Sequence, residues 1–102
     1  MKEVKLTRNA RKRLVQVLDY HKTQGNPKKG KRTVLEIIKH SIKLGKQPNL
    51  GSVQEEMSSA TKTYRALVVN RNYKVIYRTE NERILIVEIF DVRQDPSRLK
   101  LG

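Results

Sequence analysis

Four cations in the second half of the chain, Arg65, Lys74, Arg78 and Arg93, have the types and spacing best suited to chemistry. Cations spaced along strands over an apolar surface can hold a phosphate backbone or, equally, an acidic peptide. Strand-end arginines are also commonly just solvated, and pattern alone leaves these meanings open. Arg93 is the most conspicuous, because it closes a long apolar run between Asp91 and Asp95. Familiar catalytic signatures are absent: no glycine-rich phosphate loop, no H-E-x-x-H and no G-x-S-x-G. His21 and His40 fall on different predicted helices with no carboxylate at ligand spacing, which argues against a metal or a histidine base. The chain has no cysteine, which excludes disulfides, thiolate metal sites and cysteine nucleophiles. The run KKGKR, Lys28 to Arg32, is either an electrostatic footprint on phosphates or a solvated helix start. No aromatic is interleaved with it to stack on a base.

The elements that must position these residues follow from periodicity. Val4 and Leu6 alternate with charges and predict a short first strand. Thr7 is then an N-cap candidate for a basic helix whose stripe is Ala10, Leu14, Val17, Leu18 and His21. Gly25, Asn26 and Pro27 break it. A second helix, about Lys29 to Leu44, is expected to bury Val34, Leu35, Ile38 and Ile42, with Ile37 on the flank. Gly45 is the natural C′ residue closing it. After a polar connection with a helical turn at SVQEEM, the period changes to two. Thr63–Val69, Tyr73–Thr79 and Arg83–Phe90 then read as three strands joined by hairpins. The order implies an α+β fold, a small antiparallel sheet with a helical hairpin on one face.

Taking Glu80-Asn81 as a two-residue turn pairs Tyr77 with Ile84, Val75 with Ile86 and Tyr73 with Glu88. The opposite face then carries Lys74, Ile76, Arg78, Arg83, Leu85, Val87, Ile89, Asp91 and Arg93, with Arg65 among them. The last strand is apolar on both faces, so the face without helices is expected to receive a partner. Glu88 falls beside Tyr73 and Phe90, where an unpaired carboxylate is costly; it should meet an edge or a helix cation.

Charge adds a partner class. The net charge is +13, and residues 1–50 hold 14 Lys and Arg against 3 acids, a net of +11. Such asymmetry points to an anionic partner: nucleic acid, a ribonucleoprotein or an acidic protein. At 102 residues a single domain, 1–102, is expected. MKEVKLTRNARKR has no apolar run, so no secretory signal is expected. No segment approaches 18 apolar residues, so no membrane span is expected, and a cytoplasmic location fits.

The stretch from Tyr64 to Pro96 resembles the C-terminal half of the RelE/ParE superfamily, toxins of bacterial type II toxin–antitoxin modules. The resemblance rests on Tyr73, Val75, Ile76, Tyr77 and Arg78, an acidic turn, Phe90, and the closing Arg93, Asp95 and Pro96. Upstream, LGKQPNLG (Leu44 to Gly51), Ala10 and Leu14 also fit. The resemblance implies a plasmid-stabilising toxin held by an antitoxin whose acidic C-terminal segment wraps the basic groove. Contacts with antitoxin or target would fall on Arg65, Lys74, Arg78, Arg93, Leu85, Val87 and Ile89.

Two targets compete within the superfamily. RelE-like members are endonucleases that cleave mRNA on the ribosome, and here the matching catalytic positions would be Arg65, Lys74 and Arg93. Leu67 stands where such a member has a second lysine, and the tail SRLKLG holds neither the tyrosine nor the histidine expected for proton transfer. Loss of a general base costs about 10²–10⁴-fold in rate. ParE-like members, which poison DNA gyrase, lack that proton-transfer pair and commonly end in the R-x-D-P style seen here. A ParE-like gyrase poison, without cofactor or metal, is therefore the expected function. The alternatives are the mRNA endonuclease and a non-toxic basic nucleic-acid-binding module.

Overall fold

The structure is a computed structural model, and it describes residues 1–93. Expectations placed on Asp95, Pro96 and the tail from Ser97 to Gly102 lie outside the described residues.

Strand β1 (Glu3–Leu6) leads into helix α1 (Arg8–Thr23), whose N-cap is Thr7; its hydroxyl accepts from the Ala10 amide at 3.1 Å. Gln24 ends α1, and Gly25 adopts φ +76°. Helix α2 (Pro27–Lys43) then starts on an Asn26 cap with Pro27 in its first turn. A two-residue strand β2 (Ser52–Val53) and a 3₁₀ turn at Glu55–Met57 cross to the meander β3 (Arg65–Val69), β4 (Tyr73–Glu80) and β5 (Arg83–Asp91). The five-stranded sheet has the order β1-β5-β4-β3-β2, with β1 parallel to β5 and the other neighbours antiparallel. The α+β fold expected from the sequence is thus the one observed, with β2 as an unforeseen edge.

The core lies between the hairpin and one sheet face. Val75, Tyr77, Ile84 and Ile86 are fully buried there against Ala10, Leu14, Ile37 and Leu44.

The buried face of α2 differs from the expected one. Gly30, Thr33, Ile37 and Ser41 turn inward, whereas Leu35 and Ile42 stay 67% and 58% exposed. Small residues win the interface because the helices approach closely: a Cβ on Gly30 would lie 3.0 Å from His21 Cβ. The polar members are satisfied locally, Ser41 Oγ donating to the Ile37 carbonyl at 2.7 Å. Gly45 also serves differently, since it is not in the left-handed region. Its missing Cβ makes room for the Lys2 carbonyl, 2.5 Å from where that atom would sit, and its own carbonyl accepts from the Lys2 amide.

The β4–β5 register also departs from expectation. Glu80 pairs with Arg83, so the turn is Asn81-Glu82, with Asn81 at φ 57°. Tyr77 then faces Ile86, but Ile76 faces Glu88, and Val87 is the extra residue of a β-bulge. An odd insertion inverts the alternation beyond it. Ile89 (2% exposed) and Asp91 therefore pair with Val75 and Tyr73 on the helix side, not on the open face.

Candidate functional site

The four cations do not share a face. Arg65 pairs with Tyr77 across β3 and β4 and so belongs to the helix side of the sheet. Lys74 and Arg78 alternate with Tyr73, Val75 and Tyr77, which places them on the open side with Ile76. Arg93 follows the bulge to the helix side, beside Tyr73 and Tyr20. The expected cluster of Arg65, Lys74, Arg78 and Arg93 is therefore split in two by the sheet. Two causes act: the register of β3 against β4, and the bulge at Val87.

Each of three arginines is held in place. Arg65 Nη1 donates to the Gly51 carbonyl at 2.8 Å. Gly51 is in turn fixed by Tyr77, whose hydroxyl accepts from the Gly51 amide at 2.9 Å and donates to the Pro48 carbonyl at 2.8 Å. Burial pushes the Tyr77 phenol up, while the Gly51 amide and Arg65 pull it down less strongly. Arg78 grips Glu80 through Nε and Nη2 (3.0 and 2.7 Å), and its Nη1 donates to Tyr64 Oη at 2.8 Å. The Glu80 hydrogen bond raises the Arg78 pKa, and the Arg78 hydrogen bond holds Glu80 below the usual carboxylate range.

Arg93 donates to Asp91 through Nε and Nη2 at 3.0 and 2.7 Å, and its amide adds a third bond at 2.8 Å. Burial would raise Asp91, but these bonds outweigh it and hold its carboxyl below the ordinary range. A depressed pKa means that the clamp contributes above the ordinary carboxylate pKa and is lost as the pH falls through the folded value. The aspartate before Arg93 is thus its orienting partner.

The face without helices is less bare than the sequence suggested. Ile76 and Ala66 are buried on it, Leu85 and Val87 are half-buried, and Val68 is 52% exposed. It keeps Leu85, Val87, Lys74 and Arg78 as partly accessible groups. Ile89 is part of the core.

Glu88 meets a helix cation, one of the two expected solutions. It lies just past the bulge, beyond Ile86, the last residue of β5 that pairs with β1. Its carboxylate accepts from Arg13 Nε at 2.7 Å and from Asn9 Nδ2 at 3.1 Å, tying α1 to β5. Replacing Arg13 by alanine should lower stability by about 1 kcal/mol, since Arg13 is partly solvated and Asn9 remains on Glu88. Denaturant titration checks this, and a loss above about 3 kcal/mol would mean that the pair is the main anchor of α1.

His21 is buried between the helices with Nδ1 at 2.9 Å from the Val17 carbonyl. His40 makes the same local contact with the Glu36 carbonyl at 2.8 Å. Among the described residues no group of His, Asp and Glu is arranged to hold a metal ion, and no helix is long and apolar enough to cross a membrane.

The sequence did not flag the cleft between the 61–63 loop and the ends of β3 and β4, lined in part by Lys62, Arg65 and Arg78. Only the fold brings Arg65 and Arg78 to one rim of the sheet from opposite faces.

A solved structure of the chromosomal ParDE TA system from P. aeruginosa has the same fold, with a TM-score of 0.76 at 24% identity over 90% of this chain and 97% of that one. No curated protein sequence matches significantly. The family model described as the ParE toxin of type II toxin-antitoxin system, parDE, matches residues 4–96. The chain belongs to the ParE toxin family of the type II toxin–antitoxin systems.

Proposed function

We propose that this protein arrests bacterial growth by binding DNA gyrase stoichiometrically, and that a cognate antitoxin with an acidic segment neutralises it. One observation carries the preference for a binding poison over an mRNA endonuclease: Arg65, Lys74 and Arg93 diverge. A phosphorane-like transition state needs cations converging on one phosphate, with a proton acceptor in reach. Here Arg65 and Lys74 lie on opposite sides of the sheet, and Arg93 is clamped by Asp91. The antitoxin reading is supported by the net charge of +13 and by the partly accessible groups Lys74, Arg78, Leu85 and Val87 on the open sheet face. An acidic segment that folds onto this face would gain from both charge and apolar contact.

Induction in a bacterium should stop growth, and purified protein should inhibit gyrase supercoiling at near-stoichiometric ratios. Programmed ribosomes should keep their mRNA intact. Codon-selective cleavage of that mRNA would replace this reading with the endonuclease, and unimpaired growth at good expression would remove both. Arg93→Ala should weaken growth arrest without unfolding the protein, because Arg93 is half solvated. Unchanged toxicity would leave Arg93 as a solvated strand-end charge.

A further inference from the structure

We propose that the open cleft of about 590 Å³ beside the 61–63 loop is an oxyanion site that takes a phosphate group. Three cations line it: Lys62, Arg65 and Arg78. Three threonines, Thr61, Thr63 and Thr79, line it with them, and a threonine hydroxyl can donate to an anion. Among the described residues the rest of the lining is Asn49 and one carboxylate, Glu80, with no apolar side chain. Small-molecule pockets are mostly apolar with a few polar groups, and this cleft is the reverse.

The charge selects the ligand. Three cations against one carboxylate leave a net of +2, which matches a phosphate monoester at neutral pH. Glu80 is already engaged by the Arg78 fork, and Tyr64 takes the remaining Arg78 contact. Arg65 uses one N–H on Gly51, and among the described residues it has no carboxylate partner. Its other donors and the Lys62 ammonium are therefore the groups a ligand would engage. Hydroxyls beside the cations suit a tetrahedral anion with oxygens on several sides better than a planar carboxylate.

The site is also pre-organised. The Ser59 hydroxyl accepts from the Thr61 and Lys62 amides (3.4 and 3.2 Å), and the Ser59 amide donates to the Lys62 carbonyl at 2.8 Å. Ser58 Oγ accepts from the Tyr64 amide at 3.0 Å. On the other wall, the Tyr77–Gly51 contact sets the position of Arg65. Fixing the donors before binding removes much of the ordering cost of gripping an anion.

The test is an amide chemical-shift titration of the full chain with inorganic phosphate, at constant ionic strength balanced with chloride. Saturable shifts are expected at residues 61–65 and 78–80. Lys62→Ala should weaken binding about 10-fold or more, the loss of a charge-assisted contact. Lys39→Ala, the same charge change on the exposed side of α2, should alter it less than about 2-fold. Non-saturating shifts, shifts spread over the helices, or equal losses in the two variants would overturn the site. So would a glutamate-rich peptide that saturates the cleft where phosphate does not. Adenosine monophosphate and a twelve-nucleotide single strand then separate the sources. Tighter binding of the strand assigns the cleft to a polynucleotide backbone, equal binding assigns it to free phosphate esters, and both uphold it.

Discussion

Ile37→Ala should destabilise the protein by about 2–5 kcal/mol, while Leu35→Ala, two residues earlier on the same helix, should cost no more than about 0.5 kcal/mol. Hydropathy ranks these side chains as equals, and the fold separates them. Ile37 is 1% exposed in the cluster with Leu14, Leu44 and Tyr77, whereas Leu35 stands in solvent among the lysines of α2. Truncating Ile37 removes buried methylenes and leaves a cavity that helices in close contact cannot collapse to fill. For a domain of this size each kcal/mol moves the midpoint by roughly 4–8 °C, so thermal unfolding should drop by more than about 8 °C. Similar losses at the two positions would mean that α2 is rotated to present Leu35 and Ile42 to the core.

Gly51→Ala is the second large expected effect, at about 1–3 kcal/mol or more. The position has no positive φ, so the requirement is space and not backbone freedom. An added Cβ would lie 2.8 Å from the Ala66 carbonyl oxygen and 2.8 Å from Tyr77 Cε1. Neither can retreat, since one is ladder backbone in β3 and the other is a fully buried ring. Tyr77→Phe should cost about 1–3 kcal/mol by a different route, leaving the Gly51 amide and the Pro48 carbonyl without their shared partner. The two substitutions strain one contact, so the double variant should lose less than the sum. Additive losses in chemical denaturation would mean that Gly51 and Tyr77 act separately. Because the Gly51 carbonyl holds Arg65, Gly51→Ala should also weaken phosphate binding in the adjoining cleft.

Where one local interaction decides, the residues announce the structure. The strand at Val4 and Leu6, the Thr7 cap, the break at Gly25-Asn26-Pro27 and the three strands of the meander all lie within a residue or two of expectation. Each depends on groups close in sequence: a hydroxyl three residues from an amide, a proline at the first helical turn, alternation along one strand. The family resemblance was legible for a similar reason, since Tyr73 to Arg78 and Phe90 to Arg93 are contiguous motifs.

The site was not legible, because its geometry depends on parity and proximity across the fold. Whether Arg65 shares a face with Lys74 depends on how β3 registers with β4, and one residue of slip exchanges the faces. Val87 looks like any other residue of an apolar run. As the bulge it carries Ile89, Asp91 and Arg93 to the helix side. The burial of Gly30, Thr33 and Ser41 in place of Leu35 and Ile42 follows from how closely α1 and α2 approach, and hydropathy carries no measure of distance. Composition and local motif thus sufficed for the helices, the first strand and the meander, their order, the family and the basic charge. Only tertiary contact determined which cations meet, because side chains distant in sequence become neighbours through register and packing.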